Sequence, residues 1–255
     1  MKIFNQSKEG LFGSSFNWIN ARLPYLYKNK IYPSWDVRNI NHGDPTDKNR
    51  IIPHIIKPKQ KNTTSEEEVD LLNIERYQYT NFEDANFYFN HYFAFNEEIL
   101  THIPENFIPK DCLGIHFRGT DKLNNNKDCK VINFSSFLSK LNVFLKKHDF
   151  KHAFIISDSQ EHLESIKDFV TNFGIKVFST DFVPHFHKSL PFNPDKLFIT
   201  RSSIIEMLLL SQCSYVIKSH SAFSSWAKII NPEIKMYRVN QCKNDWFPDY
   251  YLPEL

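Results

Sequence analysis

Cys112–Lys122 reads CLGIHFRGTDK. Its opening, Cys112 to Ile115, is an apolar run with the look of a buried strand. The run stops abruptly, and His116, Arg118, Asp121 and Lys122 crowd around Gly119. Downstream the same alternation recurs. In FSSFLSKLNVFLKKH, residues Phe134, Phe137, Leu138, Leu141 and Leu145 fall at helical spacing. HAFIIS predicts a strand, and SQEHLESIKDFVTNF a helix opened by Ser159 and ended by Gly174. IKVFS, SYVIKS and EIKMYRV predict further strands, with SSIIEMLLLSQ and SAFSSWAKII as helices between them. Strands alternating with helices predict parallel pairing and a doubly wound sheet. In such sheets ligands bind beyond the carboxyl ends of the strands, near a switch in strand order. The charge that closes CLGIHF therefore falls where chemistry is expected.

The upstream half alternates less cleanly. SSFNWINARLPYLYKN (Ser14–Asn29) predicts a helix capped by Ser14 or Ser15 and interrupted near Pro24. IYPSWDV predicts a short strand, NINHGDPTDKNR a turn-rich loop, and KPKQKNTTSEEEVD an exposed, mobile polar segment. Residues 82–102 predict helix. PENFIPKD, with its prolines, marks the expected boundary between an N-terminal domain, 1–108, and a C-terminal domain, 109–255. There is no internal repeat.

The 255 residues allow one large α/β domain or two modest ones. Apolar residues at 41% and charged residues at 24% are a globular profile, and 24 Phe with 11 Tyr supply a core. A net charge of +2 is too small to define a nucleic-acid surface. The cysteines, Cys112, Cys129, Cys213 and Cys242, form no CxxC; two lie in apolar runs and read as buried thiols, which fits a reducing, cytoplasmic compartment. The N-terminus has no apolar signal region, and no run reaches the ~18 apolar residues of a transmembrane helix.

Arg118 is the informative member of the charged cluster, because a guanidinium presents a planar fork to paired phosphate oxygens. Gly119 lets backbone approach a ligand closely. Asp121 can orient Arg118 or accept a proton, and Lys122 adds a cation. SYVIKSHSAFSSWA repeats the arrangement: a strand runs into Ser219, His220, Ser221 and Ser224, then into a helix whose first N–H groups suit a phosphate. Simple N-capping by Ser219 or Ser221 is the plain alternative. Two such strand ends in one half-molecule favour a diphosphate site.

HFRGTDK resembles the H-x-R-x-x-D signature of fucosyltransferases: the bacterial nodulation and core α-1,6 enzymes, the α-1,2 enzymes and, more distantly, the protein O-fucosyltransferases. SIIEMLLLSQCSYVIKSHSAFSSWA resembles their later motif, and GLFGSSFNWINARLPYLYKNKIYPSWD the Gly-rich, acceptor-side opening of related bacterial sequences. The resemblance implies an α/β, GT-B-like fold of two Rossmann-like halves with mostly parallel sheets, the N-terminal half reduced. It implies an inverting transferase taking GDP-fucose in its C-terminal half and a glycan acceptor in its N-terminal half, with arginine in place of a metal. The sequence fits, having no Asp-x-Asp and no His/Cys ligand cluster.

Carried over by position, the resemblance implies that Arg118 clamps the β-phosphate and His116 and Lys122 line the nucleotide site. Glu206 takes the acidic position that reads guanine N1–H and the 2-amino group, Ser219, Ser221, Ala222 and Ser224 bracket the diphosphate, and Asp158 ends a strand near the nucleotide. Gly119 stands where the core α-1,6 enzymes have a second arginine, and LNNNKD lacks their glutamate, so the base does not transfer. Asp121 and Asp36, the latter read as a strand-end residue, are the candidate bases; each has a structural alternative, as a partner of Arg118 or as a turn carboxylate. His185 and His187 read as an exposed loop, Trp226 as core, and WFPDYY as tail packing. Three classes remain open: a fucosyltransferase, a transferase using another GDP-sugar, and an inactive nucleotide- or glycan-binding protein of the same fold.

Overall fold

The structure, a computed structural model, describes residues 1–7, 10–40, 42–44, 46–52, 54–59, 67–103, 107–119, 129–180, 196–243, 245 and 247–255. In chain order its elements are β1 (Lys2–Ser7), α1 (Asn17–Asn20), α2 (Leu23–Lys28), β2 (Ser34–Asn39), β3 (Ile56–Pro58), β4 (Glu68–Asp70), α3 (Phe82–Tyr92), β5 (Phe93–Phe95), α4 (Glu97–Leu100), β6 (Cys112–Phe117), α5 (Phe134–Leu145), β7 (His152–Ser157), α6 (Gln160–Thr171), β8 (Lys176–Phe178), α7 (Lys196–Leu210), β9 (Tyr215–Lys218), α8 (Ala222–Ile230) and β10 (Lys235–Arg238). They fall into two units, Met1–Ile103 with Leu190–Ile205, and Pro104–Ser189 with Glu206–Leu255.

In the second unit the strand order is β10-β9-β6-β7-β8, with every neighbouring pair parallel. The chain starts at β6, moves outward through β7 and β8, then returns to the other side of β6 for β9 and β10. Strand order reverses between β6 and β9, so the carboxyl ends of these two strands flank the switch point. Every residue of β6 is buried, as a parallel sheet covered on both faces requires. Alternation sends Leu113, Ile115 and Phe117 to one face, where they join Phe137 and Leu141 of α5 and Leu163 and Ile166 of α6. Fully burying a side chain of this size contributes roughly 1.5–3 kcal/mol. His116 is thereby directed to the opposite face. Asn133 caps α5 by accepting from Ser136 N–H at 2.8 Å, and Ser159 caps α6 as the sequence predicts. Gly174, with φ of +75°, takes the left-handed turn after α6 that a side chain would disfavour.

The first unit carries a three-stranded parallel sheet, β2-β1-β4, and an antiparallel pair, β3-β5. Here several expectations change. Ser14 and Ser15 do not cap a helix. They are buried in a π-helical turn, Leu11–Phe16, where Ser14 Oγ donates to the Gly10 carbonyl at 2.8 Å and Ser15 Oγ accepts from Asn39 at 2.9 Å. The helix is interrupted near Pro24 as expected, at Ala21–Arg22, and Pro24 lies in the first turn of α2, where its missing N–H leaves no helical bond unmade. The stretch read as an exposed polar segment holds strand β4, whose Glu68 and Asp70 pair with Lys2 and Phe4 of β1. Residues 82–102 are split into α3 and α4 by β5. Among the described residues no helix is long and apolar enough to cross a membrane.

Candidate active site

The ends of β6 and β9 are tied together by the residues that follow them. Arg118 N–H donates to Ser219 Oγ at 2.7 Å, and Ser219 N–H donates to the His116 carbonyl at 3.0 Å. The Arg118 guanidinium reaches Ser221 Oγ at 3.5 Å. His116 is buried with Nδ1 2.8 Å from Ser224 Oγ. Burial holds its imidazole well below the ordinary histidine value, and the charges of Lys218 and Arg118 push the same way, so the ring is neutral at physiological pH. Ser221 is the N-cap residue of α8, yet its side chain makes no bond to the first turn. Simple side-chain capping is therefore not its role. The helix start, with the positive end of its dipole, lies beside Arg118 and suits an anion.

Asp158, after β7, accepts from Gly119 N–H at 2.8 Å and so holds the turn after β6. Gly119 has an internal reason beyond ligand approach. A Cβ there would lie 2.6 Å from His162 Nδ1 and 2.7 Å from the Phe117 ring, which leaves no space for a second arginine.

Behind these groups lies a charge network that sequence spacing did not reveal. Lys218, the last residue of β9, is fully buried; its ammonium pairs with Asp249 and donates to Ser225 Oγ at 2.8 Å. Asp249, from the WFPDYY segment, also bonds Ser225 Oγ, accepts from Ser221 N–H at 2.8 Å and lies 2.6 Å from His220 Nδ1. Burial alone would raise this carboxyl, but Lys218 and His220 outweigh it and hold it well below the usual carboxylate range. The tail thus does more than pack, because its aspartate fixes the β9–α8 turn. Cys242 Sγ lies 3.4 Å from His220 Nδ1. Among the described residues, His220, Cys242 and Asp249 bring their ligand atoms within 4.8 Å of one another. Sequence spacing, which shows no His/Cys ligand cluster, does not reveal this convergence in space.

Glu206 lies on α7, where its carboxylate accepts from Thr180 Oγ1 at 2.6 Å. Burial pushes this carboxyl up to about 7, against the pull of that hydrogen bond. Ala222 opens α8 and Trp226 is core, as read. Asp121, Lys122, His185 and His187 lie outside the described residues. In the first unit Asp36 sits within β2, three residues before its end at Asn39, which corrects its placing as a strand-end residue. Arg38 grips both its oxygens at 2.9 Å, and Lys2 and Arg50 each approach to 3.3 Å. The Arg38 hydrogen bonds lead in lowering its pKa to about 2, so it is a weak base at neutral pH.

The crystal structure of NodZ α-1,6-fucosyltransferase soaked with GDP-fucose matches this chain at 13% identity, over 91% of this chain and 92% of that one, with a TM-score of 0.55. Fucosyltransferase NodZ from Bradyrhizobium matches at 14% identity, over 91% and 93%, with a TM-score of 0.56. The chain has the NodZ fold. The likeness spans both units, and the α/β, GT-B-like architecture with mostly parallel sheets is as expected. No protein-family profile and no curated protein matches the sequence.

Proposed function

We propose that the protein is an inverting, metal-independent glycosyltransferase that moves fucose from GDP-fucose to a glycan acceptor. The observation that carries this reading is the convergence of Arg118, Ser219, Ser221 and the α8 N-terminus at the β6/β9 switch point. As the bond from the sugar to the diphosphate breaks, negative charge grows on the phosphate oxygens. A preorganised guanidinium and a helix N-terminus stabilise that charge more in the transition state than in the ground state. His116, uncharged, pairs through Nδ1 with Ser224 Oγ and so holds that serine without adding a positive charge. Glu206 takes the guanine donors. Asp121 is the proposed base or partner of Arg118, and Lys122 a second cation; Asp36, already held by Lys2, Arg38 and Arg50, is the weaker base. The donor belongs to the unit of β6 and β9 and the acceptor to the other. The cytoplasmic location is part of the same proposal and rests on cysteine spacing.

Support comes from the fold shared with proteins whose crystals were soaked with GDP-fucose or grown with GDP. The test is thermal shift with GDP, UDP, CMP and ADP, each with and without excess chelator. GDP should stabilise the protein in both conditions and the others should not. Loss of the GDP effect in chelator would remove metal independence, and preference for another base would remove the guanine reading. Turnover with GDP-fucose and GDP-mannose side by side then decides the sugar.

A further inference from the structure

The cysteines, scattered in sequence, meet in pairs in space. Cys112 and Cys213 are shut in the core at 0% and 1% exposure, with their thiols hydrogen-bonded. Cys129 and Cys242 face each other across an isolated antiparallel bridge. Its register is set by Lys130 N–H, which donates to the Gln241 carbonyl at 2.7 Å. That bond flanks the cysteines and does not join them, the pattern of a non-hydrogen-bonded pair, a geometry that typically sets Cα atoms about 4.5 Å apart. A disulfide spans Cα separations of roughly 4.4–6.8 Å. Cys129 is fully buried, whereas Cys242 alone among the four is partly open to solvent.

We propose that Cys129 and Cys242 form a reversible cross-strand disulfide on meeting a small-molecule disulfide. The thiolate of Cys242 attacks one sulfur of, for example, glutathione disulfide and expels one glutathione thiolate. The thiolate of Cys129 then attacks Cys242 Sγ and expels the second. Two protein thiols are oxidised, one glutathione disulfide is reduced to two glutathiones, and the two thiol protons pass to them. The link lies next to the nucleotide-side turn. Asn240 donates to Cys129 Sγ at 3.2 Å and accepts from His220 N–H at 2.7 Å, so one side chain joins the cysteine pair to the β9–α8 turn. A metal at His220, Cys242 and Asp249 is the rival occupant. It is disfavoured because Asp249 already bonds Lys218, Ser225, Ser221 and His220.

Burial, with Asp249 adding to it, pushes the Cys242 thiol up to about 11. Only the thiolate attacks, so the rate should rise about tenfold per pH unit well past the ~8.5 at which an ordinary surface thiol levels off. The experiment equilibrates the full chain with excess glutathione disulfide at about pH 9, so that slow attack does not mask the equilibrium. Free thiols are then alkylated in denaturant and the non-reduced digest is mapped by mass spectrometry, with bound metal measured on the same sample. The expected map joins Cys129 to Cys242, leaves Cys112 and Cys213 alkylated, and accompanies a rise in Tm of roughly 5–10 °C that dithiothreitol reverses. Four alkylated cysteines, a mixed disulfide resting at Cys242, a link in any other pair, or thiols released only by a chelator would each overturn the proposal.

Discussion

Lowering the pH from 8 to 6 should weaken GDP binding about tenfold through Glu206 alone. In the free protein this carboxyl titrates at about 7, raised by burial. Guanine presents N1–H and 2-amino donors, and these pair with the ionised carboxylate and not with the acid. Binding on the acid side must therefore expel a proton. Affinity falls as the pH drops through about 7 and levels off above it. The penalty is one plus the ratio of protonated to ionised Glu206, about 11 at pH 6 and about 1.1 at pH 8, a ratio of ten or ~1.4 kcal/mol. The terminal phosphate of GDP also titrates, near ~6, so wild type alone does not isolate the carboxyl. Glu206→Gln removes the protein's share and leaves the ligand's. His116 does not contribute, since its ring is held well below the ordinary histidine value. Calorimetric Kd values at pH 6, 7 and 8, in buffers of different ionisation enthalpy, report both affinity and protons released. Wild type should show the steeper slope and close to one extra proton released at pH 6. Parallel slopes in the two proteins would refute the guanine assignment even with GDP bound. Absence of GDP binding in wild type would instead refute the nucleotide reading.

Arg118→Lys keeps the charge but loses the planar two-point grip, so donor-saturated turnover should fall about a hundredfold to a thousandfold with Tm unchanged; a destabilised variant whose folded fraction turns over normally would leave Arg118 only a loop staple. Asp249→Asn leaves the Lys218 ammonium buried without its counter-charge, which costs about 3–5 kcal/mol. Its Tm should fall by roughly 10 °C and recover in large part on adding Lys218→Met; a melt within about 2 °C of wild type would show that the pair does not hold the turn. Gly119→Ala pushes a methyl to 2.6 Å from the His162 ring, so urea unfolding should show a loss of about 1–3 kcal/mol, and an unchanged midpoint would mean that the ring swings aside.

The second unit was legible because its signals are local. Apolar runs, helical spacing and caps such as Ser159 act over a few residues, and β6 through β10 fall where they point. Strand order was not legible in detail, since alternation fixes parallel pairing and leaves the neighbours of β6 open. In the first unit, β4 was missed because Glu68 and Asp70 look solvent-bound by composition. Backbone pairing with β1 is what makes them strand. Lys218 was missed for the opposite reason. A lysine closing an apolar strand looks like the first exposed residue of a loop, and its partner, Asp249, is 31 residues away.

A lysine at the end of β9 invites the role of a phosphate-binding cation, yet Lys218 is 0% exposed and its ammonium turns inward to Asp249 and Ser225. Moving an ammonium out of water is repaid only by a close counter-charge and further hydrogen bonds, and both are present here. The pair is close to neutral when viewed from the switch point. What it supplies there is rigidity. Asp249 holds Ser221 by its amide and His220 by its ring, and so fixes the turn from which α8 starts. A diphosphate arriving at this end of the sheet would meet Arg118, the serine hydroxyls and the α8 dipole as its positive partners, with Lys218 acting through the backbone it anchors. Arg118 should therefore govern kcat, and Lys218 and Asp249 should govern stability and the geometry of the turn.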